Sequence, residues 1–79
     1  MKEGKGYIKE YDYNNKLIFE GEYLNGKKNG KGKKYYWNGQ LEYEGEFLDE
    51  EKNGKGKEYD FLTGRLIYDD LFLFGKKFG

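Results

Sequence analysis

Gly30-Lys31-Gly32-Lys33-Lys34-Tyr35 recurs 24 positions further on as Gly54-Lys55-Gly56-Lys57-Glu58-Tyr59. The same step backwards sets Gly6 under Gly30, Tyr11 under Tyr35, Tyr13 under Trp37 and Phe19 under Tyr43. Gly21 then falls under Gly45, and Tyr23 under Phe47. One extra residue near Leu62-Thr63 shifts the last unit, after which Leu66, Tyr68, Phe72 and Leu73 take the matching places. A fixed period of this size marks an array in which each unit is one supersecondary element. The chain therefore reads as a single domain over residues 1–79, with units at about 6–29, 30–53 and 54–79. The last unit is degenerate and apolar, and Gly79 stands where a further unit would begin.

Within a unit, residues 31–37 and 40–48 both alternate with period 2, and no 3.6-residue apolar stripe occurs. Tyr35 and Trp37 mark one strand, and Leu41, Tyr43 and Phe47 the other; Glu42, Glu44 and Glu46 fill the alternate, solvated positions. Asn38-Gly39 between them is a hairpin signal, because both residues tolerate positive φ. Asn14-Asn15 and Thr63-Gly64 hold the equivalent places. A two-residue loop would pair Trp37 with Gln40. A three-residue loop, Asn38-Gly39-Gln40, would pair Trp37 with Leu41 and Tyr35 with Tyr43, and is preferred because it collects the aromatics on one face. Residues 24–29 read as a polar turn between hairpins. Glycines at 21 and 45, and at 30, 32, 54 and 56, predict close backbone approach and a curved sheet.

Composition narrows the function classes. Aromatics reach 20% while charged residues reach 38%, which suits an aromatic-faced sheet with its other positions in water and does not suit disorder. Lys+Arg and Asp+Glu balance at 15 each, against a nucleic-acid binder, which needs surplus cations. With no His and no Cys, the usual bases, nucleophiles and metal ligands are missing, so no catalytic residue, metal or cofactor is assigned and an enzyme is not expected. Glu20/Glu22 and Glu44/Glu46 flank their glycines and read as a solvated strand face balanced by Lys. No apolar stretch approaches the roughly 20 residues of a membrane span, and the residues after Met1 begin no signal peptide, so the cytoplasm is the default compartment.

The pattern Phe19-x-Gly21-x-Tyr23-x-x-Gly26-x-x-x-Gly30-x-Gly32 resembles the MORN (membrane occupation and recognition nexus) repeat, and Tyr43-x-Gly45-x-Phe47 followed by Gly54-x-Gly56 repeats it. Two departures stand out: Glu50 replaces the turn glycine, and Tyr68-Asp69-Asp70-Leu71-Phe72 loses the strand glycine. The resemblance covers nearly the whole chain. It implies an all-β fold of tandem antiparallel hairpins in one curved, elongated sheet without a catalytic centre. It also implies a role as a protein-interaction or scaffolding module, with phospholipid binding in some members and antitoxin-like proteins in a divergent branch that the 24-residue period resembles.

Three sets of residues are then candidates for contact. Tyr11, Tyr13, Phe19, Tyr23, Tyr35, Trp37, Tyr43, Phe47, Tyr59 and Phe61 would form an aromatic ladder, either a partner surface or rings that cover one another. Leu71, Phe72, Leu73, Phe74 and Phe78 make a C-terminal strand apolar on both faces, which needs cover from a protein partner or another copy. Lys27, Lys28, Lys31, Lys33 and Lys34 crowd one turn and could meet anionic phospholipid headgroups. The leading expectation is a self-associating interaction module. Headgroup binding and a toxin-neutralising or small-ligand-sequestering protein are the alternatives.

Overall fold

In a computed structural model the chain is described over residues 4–78; Met1–Glu3 and Gly79, where a further unit was read to begin, lie outside the described residues. Seven strands follow in order: β1 (Lys5–Tyr11), β2 (Leu17–Leu24), β3 (Lys27–Tyr35), β4 (Leu41–Leu48), β5 (Glu51–Tyr59), β6 (Leu66–Leu73) and the two-residue β7 (Lys76–Lys77). They form one open, curved antiparallel sheet in sequence order, with no α-helix among the described residues. The slab measures 40 × 34 × 13 Å, so it is one layer thick.

Two kinds of connection alternate. Long hairpin loops close by Asp12 N–H to Lys16 O, Tyr36 N–H to Gln40 O and Asp60 N–H to Arg65 O, at 2.9, 2.8 and 2.7 Å. Asn15, Gly39 and Gly64 take positive φ at their ends. The short turns are Asn25-Gly26, Asp49-Glu50 and Phe74-Gly75, both residues of each at positive φ, as a two-residue turn between twisted strands requires. The polar turn expected over 24–29 is therefore only Asn25-Gly26, and Lys27 and Lys28 already belong to β3. Glu50 holds φ +77 where the preceding turn has glycine. Its carboxylate accepts from the Lys28 backbone N–H (2.7 Å) and Nζ (3.2 Å), which offsets the left-handed strain.

The hairpin register differs from both expected alternatives. The loop is three residues long, but it is Trp37-Asn38-Gly39, closed between Tyr36 and Gln40. Tyr35 then pairs with Leu41, the ladder shifts by a bulge, and Lys34 faces Tyr43. Tyr11↔Leu17 and Tyr59↔Leu66 repeat this arrangement. Residues opposite in the ladder share a face, so Tyr35 and Tyr43 end on opposite faces.

The core lies on one face only. Phe19, Tyr43, Phe47 and Phe72 are 5% exposed or less, with Tyr23 and Tyr68 packed at their flanks. Phe19–Phe47, Tyr43–Phe47, Tyr43–Phe72 and Tyr68–Phe72 meet edge-to-face, their centroids 5.1–5.4 Å apart. Beneath the rings runs a row of paired glycines, Gly21↔Gly32↔Gly45↔Gly56. A Cβ on Gly32 would come within 2.8 Å of the Phe19 ring, and one on Gly45 within 2.5 Å of Gly56 Cα. With no second layer available, the rings lie down over bare backbone and cover each other.

Candidate functional site

Opposite the ring face, the register stacks three rows of side chains across the sheet. Nearest the long loops are the pairs Tyr11–Leu17, Tyr35–Leu41 and Tyr59–Leu66. Next comes the charged row Lys9–Glu20–Lys33–Glu44–Lys57–Asp69, one residue from each of β1 to β6. The third row runs Tyr7–Glu22, then Lys31–Glu46, then Lys55–Leu71. These last two rows surround an open trough of about 510 Å³ floored by Gly32 and Gly45.

Its carboxylates are anchored. Tyr35 O–H donates to Glu20 at 2.7 Å, with Tyr7 O–H at 3.4 Å on the other oxygen. The Tyr35 hydrogen bond is the main reason that the Glu20 carboxyl sits below its ordinary range, with the charges of Lys9 and Lys33 adding to it. Burial first, and then Glu20, push the Tyr35 phenol up to about 12. Glu22 and Glu46 accept the Lys31 and Lys55 backbone N–H groups at 2.7 and 2.9 Å, pinning the bulges where β3 and β5 swing past β2 and β4. These glutamates therefore hold the backbone as well as fill a solvated face.

The ring face carries a second charge system. Lys28, Lys52 and Lys77 recur at matching places and lie over rings, 4.7 Å from the Phe19 centroid, 4.9 Å from Tyr43 and 5.2 Å from Tyr68. Lys28 also meets Glu10 (3.4 Å) and Glu50 (3.2 Å), while Lys52 and Lys77 converge on Glu58 at 2.8 and 3.3 Å. Burial works against ionising Glu58, but these two ammonium groups outweigh it and hold its carboxyl below the ordinary range. Among the described residues, no cluster of three or more His, Cys, Asp or Glu is placed to hold a metal ion.

No family model matches the chain, and no curated protein or solved structure is similar to it.

Several sequence expectations need correcting against this geometry. The single aromatic ladder is split three ways. Phe19, Tyr23, Tyr43 and Phe47 meet on the ring face as core. Tyr11, Tyr35 and Tyr59 line the charged face, because the bulge beside each long loop reverses their side. Tyr13, Trp37 and Phe61 sit at the loops, Trp37 against Phe61 with tilted rings, centroids 5.5 Å apart. The C-terminal set also divides: Phe72 is core, whereas Leu71, Leu73, Phe74 and Phe78 are exposed. The lysine cluster is dispersed. Lys28 is covered over Phe19, Lys34 shares the ring face with Tyr43, and Lys31 and Lys33 lie on the trough side.

Tyr7 and Tyr36 carry no signal in the repeat pattern that marks them for the site; Lys52 is expected only as an addition to the lysine cluster, not as a ring-face residue. Tyr36 packs on Phe61 (5.1 Å) and donates to Tyr59 O at 2.8 Å, tying one hairpin loop to the next. Lys52 was legible by period, as the residue one repeat after Lys28.

Proposed function

We propose that this chain is a non-catalytic interaction module of the MORN-like kind that associates with copies of itself. The observation that carries this is the apolar surface of the C-terminal hairpin. Leu66, Ile67, Leu71, Leu73, Phe74 and Phe78 are between 39% and 65% exposed, clustered on β6 and around β7. Scattered apolar side chains are ordinary on a surface, but six on one hairpin form a patch that a partner covers. Self-association fits because the opposite edge of the sheet, β1, is exposed and aromatic, with Tyr7 65% and Tyr11 51% accessible. The absence of His and Cys, and carboxylates already committed to phenols, backbone amides and lysines, support the non-catalytic part.

Light scattering on the eluting chain tests this. Wild type is expected to elute as a dimer, and Leu71→Glu combined with Phe78→Glu as a folded monomer. A wild-type monomer at every concentration overturns self-association.

A further inference from the structure

The charged face has a symmetry that the C-terminal patch alone does not explain. Its central row alternates in sign across six strands: Lys9, Glu20, Lys33, Glu44, Lys57, Asp69. Reversing a row of six alternating charges exchanges every plus with a minus, whereas an odd number would set like on like. A face of this kind is complementary to itself under a two-fold rotation.

We propose that two copies of this chain pack this face against face, about a two-fold axis parallel to the strands and lying between β3 and β4. This rests on the self-association put forward above and names its surface. Under that rotation Lys9 meets Asp69 of the second copy, Glu20 meets Lys57 and Lys33 meets Glu44. The neighbouring rows obey the same operation. Glu22 meets Lys55, Lys31 meets Glu46, and Tyr7 meets Leu71. Beside the long loops, Tyr11 meets Leu66, Leu17 meets Tyr59 and Tyr35 meets Leu41, which puts apolar surface against apolar surface. The exposed leucines of β6 thus find the exposed tyrosines of β1, each edge of one copy covering the other edge of its mate.

Two further observations favour a second copy as the occupant. Among the described residues, Lys9, Lys33 and Lys57 have no carboxylate oxygen within the 4.0 Å of an ion pair, so they act on their cross-strand neighbours only at longer range and make no close ion pair inside the chain. The facing Glu20 and Glu44 are already oriented by Tyr35 and Tyr59 (2.7 and 3.5 Å), which lowers the ordering cost of pairing them. A partner of one net charge would meet repulsion at every second position of the row.

The decisive experiment exploits the pairing of Lys33 with Glu44 across the axis. Lys33→Glu and Glu44→Lys each place two like-charged contacts in a homodimer. Each is expected to raise the dimer dissociation constant by about tenfold or more. Mixing the two variants restores both contacts, because the first chain then carries Glu at 33 and 44 and the second carries Lys at both. An equimolar mixture should therefore recover dimer in sedimentation equilibrium, although neither chain has regained its internal charge pattern. Glu20→Lys with Lys57→Glu is a second pair with the same logic, should either first variant fail to keep its strand signal in circular dichroism. If wild type is a dimer that the single variants leave intact, the charged face is not the interface while self-association stands. Variants that turn monomeric but do not recover on mixing overturn the two-fold register. A monomeric wild type overturns both proposals.

Discussion

Replacing Gly45 by alanine separates strand propensity from the geometry of this sheet. In an ordinary strand the change would help by about 0.5–1 kcal/mol, since glycine loses more backbone freedom on folding. Here a methyl at Gly45 would stand 2.5 Å from both Gly56 Cα and Lys55 O, and 2.8 Å from the Tyr43 hydroxyl. Two of those atoms are backbone, so β4 and β5 must part or the Tyr43 ring must lift from the glycine row. Overpacking of that kind costs about 1–3 kcal/mol. For a chain of this length, total stability is on the order of 4–12 kcal/mol. At about 4–8 °C per kcal/mol, a 2 kcal/mol loss lowers Tm by roughly 8–16 °C. Thermal melts and urea titrations followed by circular dichroism measure this, with the urea m-value expected to hold. Gly26→Ala is the control: it has open space around it and φ +82, so only the left-handed penalty of about 1 kcal/mol applies. A Gly45→Ala protein as stable as wild type, or more stable, would refute the account of rings lying over bare backbone.

Other outcomes follow from the same contacts. Phe72→Ala should cost about 3–5 kcal/mol and come close to unfolding the chain, because Phe72 closes the ring cluster against Tyr43 and Tyr68; a mild loss in urea titration would return it to the surface. Glu46→Ala should lose about 0.5–1.5 kcal/mol, the net worth of the exposed hydrogen bond from the Lys55 amide, and Glu46→Gln less, as it keeps an acceptor. In acid, Glu20, Glu50 and Glu58 have folded pKa values below their unfolded ones. Their contribution is present above the ordinary carboxylate pKa and is lost as pH falls through the lowered values. Urea midpoints should fall below about pH 4.5 and fall less steeply in Glu58→Gln. In base the sign reverses: the Tyr35 and Tyr43 phenols are raised to about 12, so stability present below the ordinary phenol pKa drains away as pH climbs from about 10 towards those values. Absorbance at the phenolate band should then lag for these tyrosines and rise together with loss of the strand signal.

Much of the fold was legible because the repeat is written in residues with few alternatives. Asn25-Gly26 and the glycine at 39 are turn positions, and the matching Tyr43 and Phe47 locate the inward strand. What the alternation could not show is a bulge, because an extra residue in one strand leaves both strands alternating while reversing what faces what. Ile18, Glu42 and Ile67 are those residues, one in each hairpin, and they moved Tyr11, Tyr35 and Tyr59 to the charged side. Glu50 is legible as a turn residue in place of glycine, but what makes it tolerable there is not: it satisfies Lys28, a compensation 22 residues away in the chain. The charged rows were visible as Lys and Glu at alternate positions, but their order across strands needed the register. Phe72 was legible as the period mate of Phe47, and only the surrounding apolar run disguised it as surface.

The most direct test of the central claim is sedimentation equilibrium of the unaltered chain over a wide concentration range, at low and at high salt. A species of twice the 9.4 kDa chain mass is expected that dissociates on dilution, and dissociates more readily in high salt as the facing rows of Lys and Glu are screened. A single 9.4 kDa species throughout would contradict it.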